Sequence, residues 1–164
     1  MQGNIVLIGM PGCGKSTLGV LLAKLLCKRF CDVDLLIQGR LGCSLQSYIN
    51  EHGCAAFLRQ EAEVLLDMHP ENTVIATGGS APLTEAGARR LRELGTVVFL
   101  DLPYTEIERR VTNLADRGIA LEKGQTLRDV YEQRRPIYLA LADKTVTLLG
   151  DDIARSAMAL AKLL

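Results

Sequence analysis

Tryptophan is absent from the 164 residues, and the chain has only 3 phenylalanines and 4 tyrosines. No aromatic platform for stacking single-stranded nucleic acid is evident. Charge of one sign is lacking too. The 19 basic residues balance 19 acidic ones, which argues against a dedicated nucleic-acid binder and its basic excess. No apolar run approaches a membrane span. The N-terminus enters a strand-like segment without the charged region, apolar stretch and cleavage site of a signal peptide. The 5 cysteines, Cys13, Cys27, Cys31, Cys43 and Cys54, form no C-x-x-C pair and have no histidine at metal spacing. They are expected to be reduced thiols of a cytoplasmic protein. With 48% apolar and 23% charged residues, one globular domain over 1–164 is expected.

What is present is an alternation of apolar runs and helical patterns. Residues 4–8 predict a buried strand, continuously apolar as parallel strands are. Leu18, Leu21, Leu22 and Leu25 recur at helical spacing. Residues 29–34 predict a second strand, and 35–68 helix with a break around Gly53. A third strand is expected over 73–79, a helix over 84–95 closed by Gly95, and a fourth strand over 96–103. Helix from 104 to 113, an irregular lid over about 112–125, helix over 126–142, a strand over 144–149 and a last helix complete the reading. Strands separated by helices predict an α/β three-layer sandwich: a five-stranded parallel sheet with helices on both faces, plus the lid.

The chemistry starts at "IVLIGMPGCGKST", residues 5–17. Gly9, Gly14, Lys15 and Ser16 satisfy G-x-x-x-x-G-K-[ST]. Glycines let the backbone curl so that N–H groups point at phosphate oxygens, and the helix that follows turns its positive end toward the same anion. Gly12, Cys13, Gly14, Lys15, Ser16 and Thr17 are the expected nucleotide contacts. Lys15 brings charge to the β/γ-phosphates and Ser16 a hydroxyl to magnesium. The motif has the strand before it and the amphipathic helix after it that it requires. A compact chain with this loop at its start and a late lid suits an ATP-dependent kinase of a small molecule.

Four further segments make the chain resemble the shikimate kinase family over nearly its whole length. "FCDVDLLI" carries a D-x-D, Asp32 and Asp34. The resemblance implies that Asp32 helps hold Mg²⁺ and that Asp34 positions or deprotonates the acceptor hydroxyl, as phosphoryl transfer needs. "VIATGGS" is similar to the family's strand ending in three glycines, with Gly78 and Gly79 matching and Ser80 at the third position. "ERRVTNLADRG" resembles the run into the lid. There Arg110 is expected to stack on adenine and Arg117 to meet the transferring phosphates, although Gly118 stands where the family usually has proline. "QRRPIY" places Arg134 on the family's substrate-carboxylate arginine and leaves Arg135 facing solvent.

One departure falls on the acceptor side, within the expected substrate-binding segment of about 34–62. "GCAAFLRQE" keeps Gly53, Phe57 and Glu61, but Leu58 stands at the family's second carboxylate-binding arginine. Arg59 is one residue on, about 100° around the helix. Losing a bidentate, charge-assisted contact weakens carboxylate binding. Glu61 then either meets a substrate ammonium or forms an ion pair with Arg134 or Arg59. The expected acceptor is shikimate, forming shikimate 3-phosphate. The alternative is a related amino-hydroxy acid such as homoserine. A nucleoside monophosphate kinase fits the D-x-D and TGG segments poorly, and a non-enzymatic nucleotide-binding module fits Lys15, Asp32, Asp34 and Arg117 poorly. A monomer with no nucleic-acid or membrane partner is expected.

Overall fold

Parallel strands all end at the same edge of their sheet, and that edge is where the phosphate loop, the D-x-D and the glycine turn after the third strand converge. The structure, a computed structural model, describes residues 3–111, 124–148 and 152–164. Its elements are β1 (Asn4–Ile8), α1 (Lys15–Leu25), β2 (Arg29–Asp32), α2 (Val33–Leu41), α3 (Leu45–His52), α4 (Cys54–Asp67), β3 (Thr73–Ala76), a 3₁₀ turn (Ala81–Leu83), α5 (Glu85–Leu94), β4 (Gly95–Asp101), α6 (Tyr104–Arg110), α7 (Leu127–Leu141), β5 (Lys144–Thr147) and α8 (Ile153–Leu163). The 5 strands lie in the order β2-β3-β1-β4-β5, and every neighbouring pair is parallel.

β1 is the centre. Val6, Leu7 and Ile8 are fully buried, as are Ile75 of β3 and Val98 and Leu100 of β4. A strand buried on both faces has to be apolar at consecutive positions rather than alternate ones, which is how residues 5–8 read. α1 packs on α8 and on β1, β2 and β3, while α5 packs on α4, β1 and β4. Because the strands are parallel, the phosphate loop after β1, the D-x-D after β2, the glycines after β3 and Asp101 at the end of β4 share one rim. In open parallel sheets that rim is the usual ligand edge.

Several boundaries differ from expectation, each for a local reason. The second strand stops at Asp32 rather than residue 34, because the Asp32 carboxylate accepts from the Asp34 N–H at 3.0 Å and caps α2. Helix in 35–68 breaks twice: at Gly42, which is left-handed at φ 70°, and at Gly53. The third strand ends at Ala76, so Thr77–Ser80 turn away from the ladder. Gly95 does not close a helix as a left-handed cap. At φ 166° it is extended and opens β4, and a Cβ there would lie 2.3 Å from the Asn4 carbonyl oxygen. The expected lid of 112–125 falls mostly outside the described residues.

The far end of the sheet is closed by one side chain. Asn4 Nδ2 donates to the carbonyls of Pro70 (2.7 Å) and Leu94 (2.8 Å), and its Oδ1 accepts from the Thr73 N–H (3.0 Å). It ties the starts of β1, β3 and β4 together. Asn4→Ala leaves the Pro70 and Leu94 carbonyls and the Thr73 N–H without this partner, so urea unfolding should show a loss of about 2–4 kcal/mol. A change within error would mean that water replaces those bonds without cost.

Candidate active site

The phosphate loop is built by its backbone. Gly9, Gly12 and Gly14 hold φ of 148°, 80° and 96°, a region that residues with a Cβ rarely enter. Gly14 is the N-cap of α1 and supplies no side-chain cap, and no acidic residue sits in that first turn. By contrast α2, α3, α5, α7 and α8 are each capped by a side chain. The first turn of α1 therefore directs its N–H groups and dipole at the loop without a protein acceptor from a cap, which suits a phosphate. Ser16 and Thr17 are exposed on that turn, and Cys13 is buried beneath the loop. Lys15 is buried; its Nζ donates to the carbonyls of Gly9 (2.8 Å) and Met10 (3.0 Å) and lies 3.8 Å from Cys13 Sγ.

Beside this loop lies a pocket wall of four elements. α2 supplies Asp34 in its first turn. α4 supplies Glu61, 2% exposed, and α7 supplies Arg134, 4% exposed. The turn after β3 supplies Gly78, Gly79 and Ser80. Gly78 is glycine because of a close approach: a Cβ there would sit 2.2 Å from Glu61 Oε1 and 3.0 Å from Asp34 Oδ1. A Cβ on Gly79 would lie 3.1 Å from the ring of Pro11, in the phosphate loop, and 3.3 Å from Arg134 Nη1. Tyr138, one turn after Arg134, donates its hydroxyl to the Gly79 carbonyl at 2.6 Å and fixes that turn against α7.

Burial dominates the electrostatics. It pushes the Asp34 carboxyl above its ordinary range, with Lys15 opposing and Asp32 adding. Burial also pushes Glu61 from 4.5 up to about 7; the Ser80 hydrogen bond, Arg134 and Lys15 oppose, and Asp34 adds. Ser80 Oγ donates to Glu61 Oε2 at 2.6 Å. Glu61 Oε1 has no hydrogen-bond partner among the described residues.

Asp34, Glu61, Gly78, Gly79, Ser80, Arg134 and Lys15 are thus brought together, with Asp32 at the adjoining strand end. Arg59 is not; it is exposed on α4, while Leu58 is half-buried against the core. Arg110 ends α6 with its Nε 3.8 Å from a Glu106 carboxylate oxygen. Arg117 lies outside the described residues. Arg135, expected to face solvent, instead forms a two-point ion pair with the buried Asp101 (3.0 and 2.7 Å), tying α7 to the end of β4. An aspartate closing an otherwise apolar strand was the signal for that pair in the sequence. The Ser80–Glu61 bond carried no such signal, since the two residues are 19 positions apart.

Comparison with known proteins agrees with this geometry. The sequence model of the shikimate kinase family matches residues 11–162. A shikimate kinase of Nitrosomonas europaea is 43% identical over 142 residues, covering 84% of this chain and 67% of its own. One of Paracidovorax citrulli is 39% identical over 143 residues, covering 84% and 78%. Among solved structures, shikimate kinase from Acinetobacter baumannii in complex with shikimate superposes with a TM-score of 0.92 at 29% identity, over 99% of this chain and 93% of that one.

The Glu61 shift makes a stability prediction. A carboxyl raised from 4.5 to about 7 keeps its proton in the folded state after the unfolded chain has lost it. Its contribution is full below pH 4.5 and is lost as pH rises through about 7. Glu61→Gln, which cannot ionise, should therefore gain stability relative to the parent between those limits, by up to about 3 kcal/mol. Unfolding curves from pH 4 to 8 measure this; a difference independent of pH would mean that Glu61 titrates normally.

Proposed function

The chain belongs to the shikimate kinase family, and from that premise we propose that it transfers the γ-phosphoryl group of ATP to the 3-hydroxyl of shikimate. One observation carries this reading: the Gly78–Gly79 turn touches Pro11 of the phosphate loop on one side and Asp34, Glu61 and Arg134 on the other. A phosphate donor on the loop and an acceptor in the pocket would meet across that turn.

Each residue then has a task. The loop N–H groups and Lys15 hold the phosphate chain. Asp34, made more basic by burial, orients the acceptor hydroxyl and takes its proton as the O–P bond forms. Arg134 pairs with the acceptor carboxylate through its donor fork. Ser16 and Asp32 are hard oxygen donors at the start of α1 and the end of β2, a set that suits magnesium held mainly by phosphates and water. When bound, that ion supplies charge to offset the charge spread over the transferring group.

Charge in the pocket favours shikimate over homoserine. Lys15 and Arg134 are cationic, while Glu61 is largely neutral below pH 7. An acceptor with a carboxylate and no ammonium fits that balance. The bound ligand of the Acinetobacter baumannii neighbour is the same molecule.

ADP release in a coupled assay, with shikimate and homoserine as competing acceptors, tests the reading. Shikimate should stimulate turnover strongly and homoserine should not; the reverse would overturn it. Lys15→Ala should abolish turnover with the melting curve kept. Asp34→Asn should lower kcat by about 10²-fold or more with the KM for ATP little changed, and equal loss of both would move Asp34 to nucleotide binding. Leu58→Arg should lower the KM for shikimate, since it adds a guanidinium three residues before Glu61 on α4. An unchanged KM would mean that Arg134 already satisfies the carboxylate.

A further inference from the structure

α7 crosses the ligand rim with two stripes of side chains, and only one of them belongs to the pocket. Arg134 and Tyr138, four residues apart, face the turn after β3. Tyr138 donates to the Gly79 carbonyl, and Arg134 Nη1 lies 3.3 Å from where a Gly79 Cβ would stand. Tyr131 and Arg135, also four apart, face the end of β4. The Tyr131 hydroxyl donates to the Leu102 carbonyl at 3.2 Å. Arg135 donates from Nε and Nη2 to the two oxygens of Asp101, at 3.0 and 2.7 Å. Asp101 is 8% exposed. The carbonyl oxygen of Leu100, one residue earlier, would lie 2.8 Å from a Cβ on Gly9, so Asp101 stands on a strand end packed against the phosphate loop. The backbone of α7 has a gap beside the arginine doublet, because Pro136 removes the N–H that would bond the Glu132 carbonyl. Side chains must hold the helix there.

Resting on the shikimate kinase reading, we propose that Asp101 and Arg135 are positioning residues for the acceptor carboxylate: their two-point pair sets the rotation of α7 and thereby aims the Arg134 fork. A guanidinium fork on a carboxylate fixes both a distance and a plane. The single hydrogen bond of Tyr131 fixes only a distance. Arg134 and Arg135 are successive on one helix, so a rotation that moves one moves the other by the same angle. A guanidinium that receives a ligand carboxylate is best aimed through a neighbour, since a protein carboxylate clamped on it would take the ligand's place.

The test is steady-state kinetics on the parent, Arg135→Gln, Asp101→Asn, the double variant and Arg135→Lys, with shikimate and ATP varied in turn. Arg135→Gln and Asp101→Asn should each raise the KM for shikimate about fivefold or more, with kcat and the KM for ATP within about twofold. The double variant should be no worse than the poorer single one, because the two residues act as one pair. Arg135→Lys keeps the charge at a half-exposed place but loses the fork, and should raise the same KM about threefold. A purely structural pair would lower the melting temperature and leave both KM values unchanged, or raise them together. Either result would overturn the proposal, as would single effects that add in the double variant. A parent-like KM in Arg135→Lys would overturn it too, even where the neutral variants fail to fold. No turnover of shikimate by the parent, a readout that needs no variant, would overturn the acceptor reading and this proposal with it.

Discussion

The site hangs on a strip of backbone without side chains. Gly78 and Gly79 follow β3, in the sheet beside β1, so their position is fixed by a register that pairs Val6 with Ile75 and Leu7 with Ala76. Four partners crowd that strip: Pro11, Asp34, Glu61 and Arg134. A single methyl group at Gly78 would overlap a carboxylate oxygen at 2.2 Å. The phosphate loop and the acceptor-side helices can therefore share a wall only a backbone thick. That thinness lets a donor phosphate and an acceptor hydroxyl approach each other, and proximity is most of what phosphoryl transfer asks of a protein.

Such crowding gathers charges that would each be costly alone. Lys15, Asp34, Glu61 and Arg134 are mostly out of water, and removing one leaves the others uncompensated. The fold limits that cost. Lys15 rests on two carbonyls of its own loop, at 2.8 and 3.0 Å, and Glu61 rests on Ser80. Outside the pocket, Tyr138 and the Asp101–Arg135 pair hold α7 so that Arg134 faces inward. One neighbour of the doublet Arg134–Arg135 is thus spent on architecture and the other on the pocket. That division follows from the helix: successive residues point about 100° apart, so one cannot do both tasks.

Much of this was legible in the chain. Residues 4–8 read as a buried strand because a parallel strand covered on both faces is apolar at consecutive positions. The phosphate loop was legible because its glycines have a backbone reason. The second strand was overread because D-V-D continues an extended pattern, and only the three-dimensional cap shows that Asp32 ends it. Gly95 was assigned the wrong cause: its place is set by contact with Asn4, a residue 91 positions away that only the β1–β4 pairing brings near. Ser80–Glu61 stayed hidden for the same reason. Pairs made by packing between elements leave no spacing in the sequence.

Leu58 and Ser80, two separate departures in the sequence, become one in the structure. An arginine at position 58 would bring a cation to Glu61 from its own helix; leucine brings none. Ser80 brings a neutral donor from the β3 turn instead. The exchange alters more than the number of hydrogen bonds. A cation holds a buried carboxyl ionised, whereas a hydroxyl only partly offsets desolvation and leaves it to titrate at about 7.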